Sequence, residues 1–192
     1  NGDTYDGQWY NGQMHGRGVY VYVQSGNVYD GEYQHHKKHG QGSFTYQETG
    51  IVYKGAWDRG VKSGKGVTVF PNGDQYTGDF RDNEFNGVGT FVHANGDRYT
   101  GQWVNSVQEG AGTMAYKDGA VYEGEWHNNK KHGKGKYVAS GSSYNGEWRQ
   151  GIMHGHGEQA FPDGSHYTGE LAGGMRHGFG VFVDQDRSRY EG

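Results

Sequence analysis

The eleven histidines are the residues of this chain whose chemistry first suggests a metal or catalytic site. Five of them occupy one recurring position, directly before a Gly-x-Gly: His15, His39, His132, His154 and His177. A metal ion needs ligand atoms about 2.0–2.1 Å from one shared centre. If the chain is built of successive hairpins, equivalent positions lie two strands apart, roughly 9–10 Å. We therefore interpret these histidines as turn residues that hydrogen-bond to backbone or to a neighbouring strand, and we expect no metal site.

The glycine-rich segments are the second candidate for chemistry. Gly110–Ala115 and Gly155–Ala160 match a loose Gly-x-Gly-x-x-Ala pattern, but no helix is predicted after either, so the context that binds a nucleotide phosphate is missing. The sequence has no Gly-x-x-x-x-Gly-Lys-[Ser/Thr] motif, no Gly-x-Ser-x-Gly motif and no cysteine. We find no catalytic constellation, and we predict a protein that is not an enzyme and needs no cofactor.

The aromatic residues form the third candidate site. One column is formed by Trp9, Tyr33, Trp57, Phe80, Trp103, Trp126 and Trp148, and a second by Tyr20, Phe44, Phe91, Tyr137 and Phe182. These rings either stack only on one another or also line an open groove, and the two interpretations are compatible. Because a one-layer sheet leaves a face uncovered and exposed apolar faces mark interaction sites, we predict a partner-binding groove. It would include the first column together with Met114 and Tyr116, both expected to be partly exposed. The alternative surface is the sheet edges or the opposite face, with Val67, Val69 and Val92.

A tandem repeat positions all of these residues. Each copy starts with a Tyr, followed by a Gly two residues later and by an aromatic residue or, once, Leu171 two residues beyond that. The eight starts are Tyr5, Tyr29, Tyr53, Tyr76, Tyr99, Tyr122, Tyr144 and Tyr167, and a stub begins at Tyr190. In every full copy a Gly-x-Gly begins eleven positions after the Tyr. Such a fixed period indicates one repeat array over residues 1–192.

Each copy reads as a β-hairpin. Tyr5–Trp9 alternates with the period of a strand, and a second strand is predicted to return from Gly16. Dipeptides that favour hairpin turns, such as Asn72-Gly73 and Asp118-Gly119, join the copies. The Gly between the aromatic residues would leave room for rings from an adjoining strand to lie over bare backbone. The predicted fold is all-β: an elongated, single-layer antiparallel sheet of tandem hairpins.

Composition limits the classes of partner. The formal net charge is −4, and the lysines and arginines are scattered, which argues against nucleic acid and disfavours anionic lipid. The absence of cysteine favours a reducing, intracellular compartment. No apolar run approaches the ~20 residues that span a bilayer. Since the sequence opens within a repeat and without Met, we interpret it as part of a longer protein.

The pattern resembles the MORN repeat, whose signature is close to Tyr-x-Gly-x-Trp-x-x-Gly-x-x-His-Gly-x-Gly. The resemblance covers essentially the whole chain and implies a non-catalytic scaffold that binds proteins. The segment Lys37–Gly42 looks most like the radial spoke head proteins of cilia and flagella, which implies a structural subunit of an axonemal assembly.

Two alternative functions remain open from the sequence. MORN arrays also occur in membrane tethers that bind acidic phospholipids, and they precede a methyltransferase domain, so this chain could be the targeting appendage of an enzyme. For partners we expect other subunits of a large assembly. Because open sheet edges recruit further strands, homodimers or end-to-end contacts are also expected.

Overall fold

The computed structural model describes residues 2–192, and this part of the chain forms seventeen β-strands and no helix. The strands are β1 Thr4–Tyr10, β2 Gln13–Val21, β3 Val28–Gln34, β4 Lys37–Tyr46, β5 Ile51–Asp58, β6 Val61–Val69, β7 Gln75–Arg81, β8 Glu84–Val92, β9 Arg98–Val104, β10 Val107–Ala115, β11 Val121–His127, β12 Lys130–Ala139, β13 Ser142–Arg149, β14 Ile152–Ala160, β15 His166–Ala172, β16 Met175–Val183 and β17 Arg189–Glu191. The prediction of an all-β chain is confirmed. Among residues 2–192 there is accordingly no helix able to cross a membrane.

All seventeen strands belong to one antiparallel sheet, in which strands that follow one another in the chain are paired. This confirms the predicted single open sheet of tandem hairpins. By their contacts the residues group into two compact units. The first comprises residues 1–94 and 103–106, and the second comprises residues 95–102 and 107–192.

Every hairpin that is formed within one repeat and whose register is described contains a bulge, and the bulge corrects one sequence prediction. In the hairpin of β3 and β4, Gly31 pairs with Gly42 but the next residue, Glu32, pairs with His39. Gly40 and Gln41 are therefore left without partners on the other strand, and Gly40 takes a φ of 59° that favours glycine. The return strand thus starts before the Gly-x-Gly instead of at it. The interpretation of the histidines before Gly-x-Gly as turn residues is wrong, because all five lie within strands.

The second glycine of each Gly-x-Gly has a different role. In the same hairpin Gly42 lies opposite Gly31, and the ring of Tyr29 covers both. A Cβ atom on Gly42 would lie 2.6 Å from Tyr29 Cζ, and one on Gly31 would lie 2.5 Å from the Cα atom of Gly42. The predicted reason for glycine between the aromatic residues, room for a ring over bare backbone, is confirmed. The prediction that the ring comes from an adjoining strand is wrong, because Tyr29 lies in the same strand as Gly31.

The covering tyrosines form the centre of the core. Five of them are completely buried: Tyr29, Tyr53, Tyr76, Tyr99 and Tyr122. Each Tyr hydroxyl donates a hydrogen bond to a backbone carbonyl three residues later, as Tyr29 does to Glu32 at 2.9 Å. The ring edge also packs against the second aromatic residue of its own repeat and of the next, so one side chain connects two hairpins.

Candidate functional site

One face of the sheet carries nearly all of the aromatic side chains, and we call it the aromatic face. It includes the covering tyrosines and both predicted aromatic columns. Equivalent positions of successive repeats form rows on this face. The sequence-predicted site residues Trp9, Tyr33, Trp57, Phe80, Trp103, Met114, Tyr116, Trp126 and Trp148 all lie on it.

The first predicted column is mostly core. Six of its members are only 4–6% exposed: Tyr33, Trp57, Phe80, Trp103, Trp126 and Trp148. Trp9, in the first repeat, is 58% exposed. Trp57 shows what the buried members do, because it lies edge-on between Tyr29 and Tyr53 with ring centroids 5.3 and 5.2 Å away. Its indole Nε1 donates to the Gly42 carbonyl at 3.2 Å. These rings connect adjacent repeats, and their contribution to partner binding stays a prediction.

Met114 and Tyr116 have different environments. The expectation that Met114 is partly exposed is wrong: its side chain is buried, because it occupies the row that Phe44 and Tyr137 fill in other repeats. Tyr116 is half-buried, as expected. Burial raises the pKa of its phenol, and the Lys131 ammonium lies 5.3 Å from the ring centroid.

A row of long side chains lies beside the aromatic columns, and sequence reasoning missed it. It occupies the position two residues before the first Gly of Gly-x-Gly: Met14, Lys38, Lys62, Phe85, Gln108, Lys131, Met153 and Arg176. Four of its members are cations that lie over ring faces. Lys38 Nζ is 4.1 Å from the Phe44 centroid and 4.7 Å from that of Trp57.

The other cations have similar cages. Lys131 Nζ lies 4.4 Å from the Tyr137 centroid and 5.0 Å from that of Trp148. The guanidinium of Arg176 lies 4.4 Å from the Phe182 centroid. A cation over a ring face is attracted by the ring quadrupole, which is worth about 0.5–2 kcal/mol depending on desolvation.

These cations lack acidic partners on the aromatic face. The ion pairs found among residues 2–192 involve neither Lys38, Lys62, Lys131 nor Arg176. Burial, with a smaller effect of the neighbouring Lys62 charge, lowers the pKa of Lys38 to about 8. Burial also lowers the pKa values of Lys62 and Lys131. The aromatic face therefore presents positive charge that is partly removed from water.

The opposite face carries valines and charged side chains. Val69 is 44% exposed there, while Val67 and Val92 are half-buried. A surface ion pair joins Lys65 and Asp79 across neighbouring strands at 2.8 Å. Among residues 2–192 no group of three or more histidines or carboxylates is arranged to hold a metal ion.

Two comparisons identify the repeat and the fold. The family model described as "MORN repeat" matches residues 5–26, 29–48, 53–75, 76–98, 99–121, 122–143, 144–166 and 167–189. No curated protein matches the sequence. Among solved structures, the chain is similar to the Drosophila melanogaster SAS-4 (dCPAP) TCP domain, solved in complex with a proline-rich motif of Ana2. That likeness has 14% identity, 80% coverage of this chain, 83% coverage of that chain and a TM-score of 0.50.

Further structures show weaker likeness. The TCP10c domain of Drosophila melanogaster Sas-4 has 15% identity over 79% of this chain and 91% of its own, with a TM-score of 0.46. The TCP10 domain of Danio rerio CPAP has 13% identity over 100% of this chain and 95% of its own, with a TM-score of 0.42. The structural comparisons concern the fold alone, whereas the repeat matches cover most of the sequence. The chain therefore belongs to the MORN repeat family.

Proposed function

We propose that this chain is a non-catalytic scaffold that binds partner proteins through its aromatic face. One observation carries the proposal: within residues 2–192 no second layer covers this face, although half-buried rings and desolvated cations line it. Large aromatic side chains and long cations are the residue types that dominate binding energy at protein interfaces. A further support is that the Drosophila TCP domain, a protein of similar fold, was solved with a bound proline-rich motif.

We also propose the setting of this scaffold. Lys37–Gly42 resembles the corresponding segment of radial spoke head proteins, which supports a structural subunit of a ciliary or flagellar assembly. In that setting its partners are other subunits, and the chain lies inside the cell at the axoneme. A fluorescently tagged protein should then co-localise with axonemal tubulin in ciliated cells, and a diffuse distribution would contradict this part of the proposal.

The binding face can be tested with two matched substitutions. Tyr116→Asp places a charge on the half-buried aromatic face, and Val121→Asp places one on the opposite face, where Val121 is 37% exposed. We expect Tyr116→Asp to weaken partner affinity by about 1–3 kcal/mol and Val121→Asp to leave it unchanged. Met114→Asp is unsuitable, because it would bury a charge.

The measurement uses the wild-type chain, immobilised and exposed to extract from its native cells. Captured proteins are identified by mass spectrometry, purified and titrated against the three forms. Failure to capture any protein would contradict the scaffold proposal. Equal affinity for wild type and Tyr116→Asp, with both folded by circular dichroism, would remove the aromatic face as the binding surface.

A further inference from the structure

Three positions in the row of the second aromatic column lack a ring, Thr68, Met114 and Gln159, and Thr68 has the smallest side chain of the three. The row of Phe44 and Phe91 contains Thr68 in the third repeat, where a ring is replaced by a small side chain. A cavity of about 280 Å³ lies at this place. Its lining residues, all in the first compact unit, are chiefly Tyr46, Lys62, Thr68, Phe70, Asn83 and Phe85.

The cavity contains an unsatisfied donor. Thr68 is 4% exposed, and its hydroxyl oxygen is buried without a hydrogen-bond partner. Leaving a buried hydroxyl unpaired is unfavourable, because the group has lost its hydrogen bonds to water.

The charge beside the cavity is positive. Lys62 Nζ lies 4.9 Å from the Tyr53 centroid and 5.0 Å from that of Tyr46. The next cation of the row, Lys38, is close enough for the two charges to repel. No carboxylate in the described chain lies within ion-pair distance of either ammonium. The nearest acidic influence on Lys62 is Glu84, whose carboxylate accepts a hydrogen bond from the Ser106 hydroxyl.

We propose that this cavity is a docking pocket for an acidic segment of a partner protein, which inserts one apolar side chain beside Thr68 and places a carboxylate against Lys62. The proposal rests on the proposed scaffold function and adds the chemistry of the partner. Charge complementarity selects the occupant, because the partly desolvated Lys62 ammonium has no ion-pair partner in the described chain and gains from an arriving anion. The apolar wall of Tyr46, Phe70 and Phe85 selects an apolar side chain. The pocket is open to solvent, so a side chain of a partner can enter it.

The chain itself supplies conservative test substitutions. Thr68→Phe introduces the residue found at this row in the two neighbouring repeats, Phe44 and Phe91, and fills the cavity. Lys62→Met introduces the residue found at its row in Met14 and Met153, and it removes the charge. Gln159→Phe makes the same kind of replacement as Thr68→Phe in the seventh repeat, away from the cavity, and is the matched control.

The probe is a short fluorescein-labelled peptide of glutamate and glycine with one central phenylalanine. Two matched peptides carry serine in place of the phenylalanine, or lysine in place of the glutamates. Fluorescence anisotropy should show the first peptide binding at least about tenfold more tightly than either control. Its affinity should fall as salt is added, since the contact includes exposed charge.

The variants then locate the site. We expect Thr68→Phe and Lys62→Met each to weaken the first peptide at least about tenfold, and Gln159→Phe to leave it unchanged. Melting temperatures within a few degrees of wild type establish that the variants are folded.

Several outcomes would overturn the proposal. These are the same affinity for all three peptides, no binding up to about 1 mM, or unchanged binding by folded Thr68→Phe. If the wild-type chain sediments with phosphatidylserine vesicles and the Thr68→Phe variant does not, the pocket binds lipid instead. A change in oligomeric mass on Thr68→Phe would assign it to a second copy of the chain. A captured partner that binds wild type and Thr68→Phe equally would overturn the pocket but preserve the scaffold proposal.

Discussion

Replacing Gly66 by alanine tests whether the covering tyrosines hold the repeats together. A Cβ atom there would lie 2.6 Å from both the hydroxyl oxygen and Cε2 of Tyr53, so the ring must move. Moving it would break the hydrogen bond that Tyr53 donates to the Ala56 carbonyl at 2.8 Å, worth about 1 kcal/mol. It would also disturb the edge-on contacts with Trp57 and Phe80, at 5.2 and 4.9 Å, worth about 0.5–1.5 kcal/mol each. We therefore expect a loss of about 3 kcal/mol.

The assay should report on the third repeat itself, since arrays of repeats depart from two-state unfolding. Hydrogen exchange of the amides in β5 and β6 gives the free energy of local opening. The control is Gly119→Ala, where φ is 89° and nothing lies within 4 Å of the added Cβ, so only backbone strain of about 1–2 kcal/mol is expected. A second comparison is Gly66→Ala in a Tyr53→Ala background, where the cost should fall below about 1 kcal/mol. Equal cost in both backgrounds would refute the assignment of the effect to the Tyr53 ring.

The other predictions concern the aromatic face. Trp57→Ala should destabilise the protein by about 3–5 kcal/mol, because Trp57 is 4% exposed. Trp9→Ala should cost about 1 kcal/mol or less, because Trp9 is 58% exposed. Similar losses for the two variants in urea denaturation would contradict this difference. The pKa of Lys38 is about 8 when folded, below its ordinary 10.5, so the unfolded chain binds more protons between these values and stability should rise as pH rises through this window. Lys38→Met should show a smaller rise, because only Lys62 and Lys131 then contribute lowered pKa values, as measured by urea denaturation at pH 7, 8.5 and 10; parallel curves for the two proteins would show that Lys38 does not titrate in this range.

Much of the fold was predictable because one repeated contact determines it, a tyrosine ring that lies over two glycines. A tyrosine, a glycine two residues later and a second glycine thirteen residues later recur at fixed offsets, as in Tyr29, Gly31 and Gly42. A ring that lies over two bare backbones permits no insertion between the positions that form the contact. The spacing therefore predicted the hairpin, and the glycine content predicted the close approach.

The row of cations was missed because the bulge interrupts the strand alternation. Two residues that have no partner on the first strand of the hairpin, such as Gly40 and Gln41, lie between the Gly–Gly pair and the start of the return strand. Reading the strand from the first Gly assigned Lys38 to a turn, although it pairs with Tyr33 across the sheet. A strict two-residue alternation along the strand cannot predict this bulge.

The environments of Met114 and Thr68 could have been predicted from the sequence. Both share a row with Phe44 and Tyr137, so a medium-sized side chain there is buried and a small one leaves a void. Alignment of the repeats with one another, column by column, would have predicted both. The positive charge beside the void could not be predicted from the sequence, because it depends on which cationic side chains lie on the aromatic face.

The pairing of each strand with its sequence neighbours has a consequence for how the protein folds. Partners in the ladder are close along the chain: Tyr29 and Phe44 are fifteen positions apart in a chain of 192 residues. Sheet proteins fold slowly when strands distant in sequence must first meet, since loop closure precedes any gain in contacts. In this array a hairpin can form anywhere and serve as a template for the next, as in other repeat proteins. A damaging substitution in one repeat should therefore slow the extension of structure locally while hairpins on either side still form.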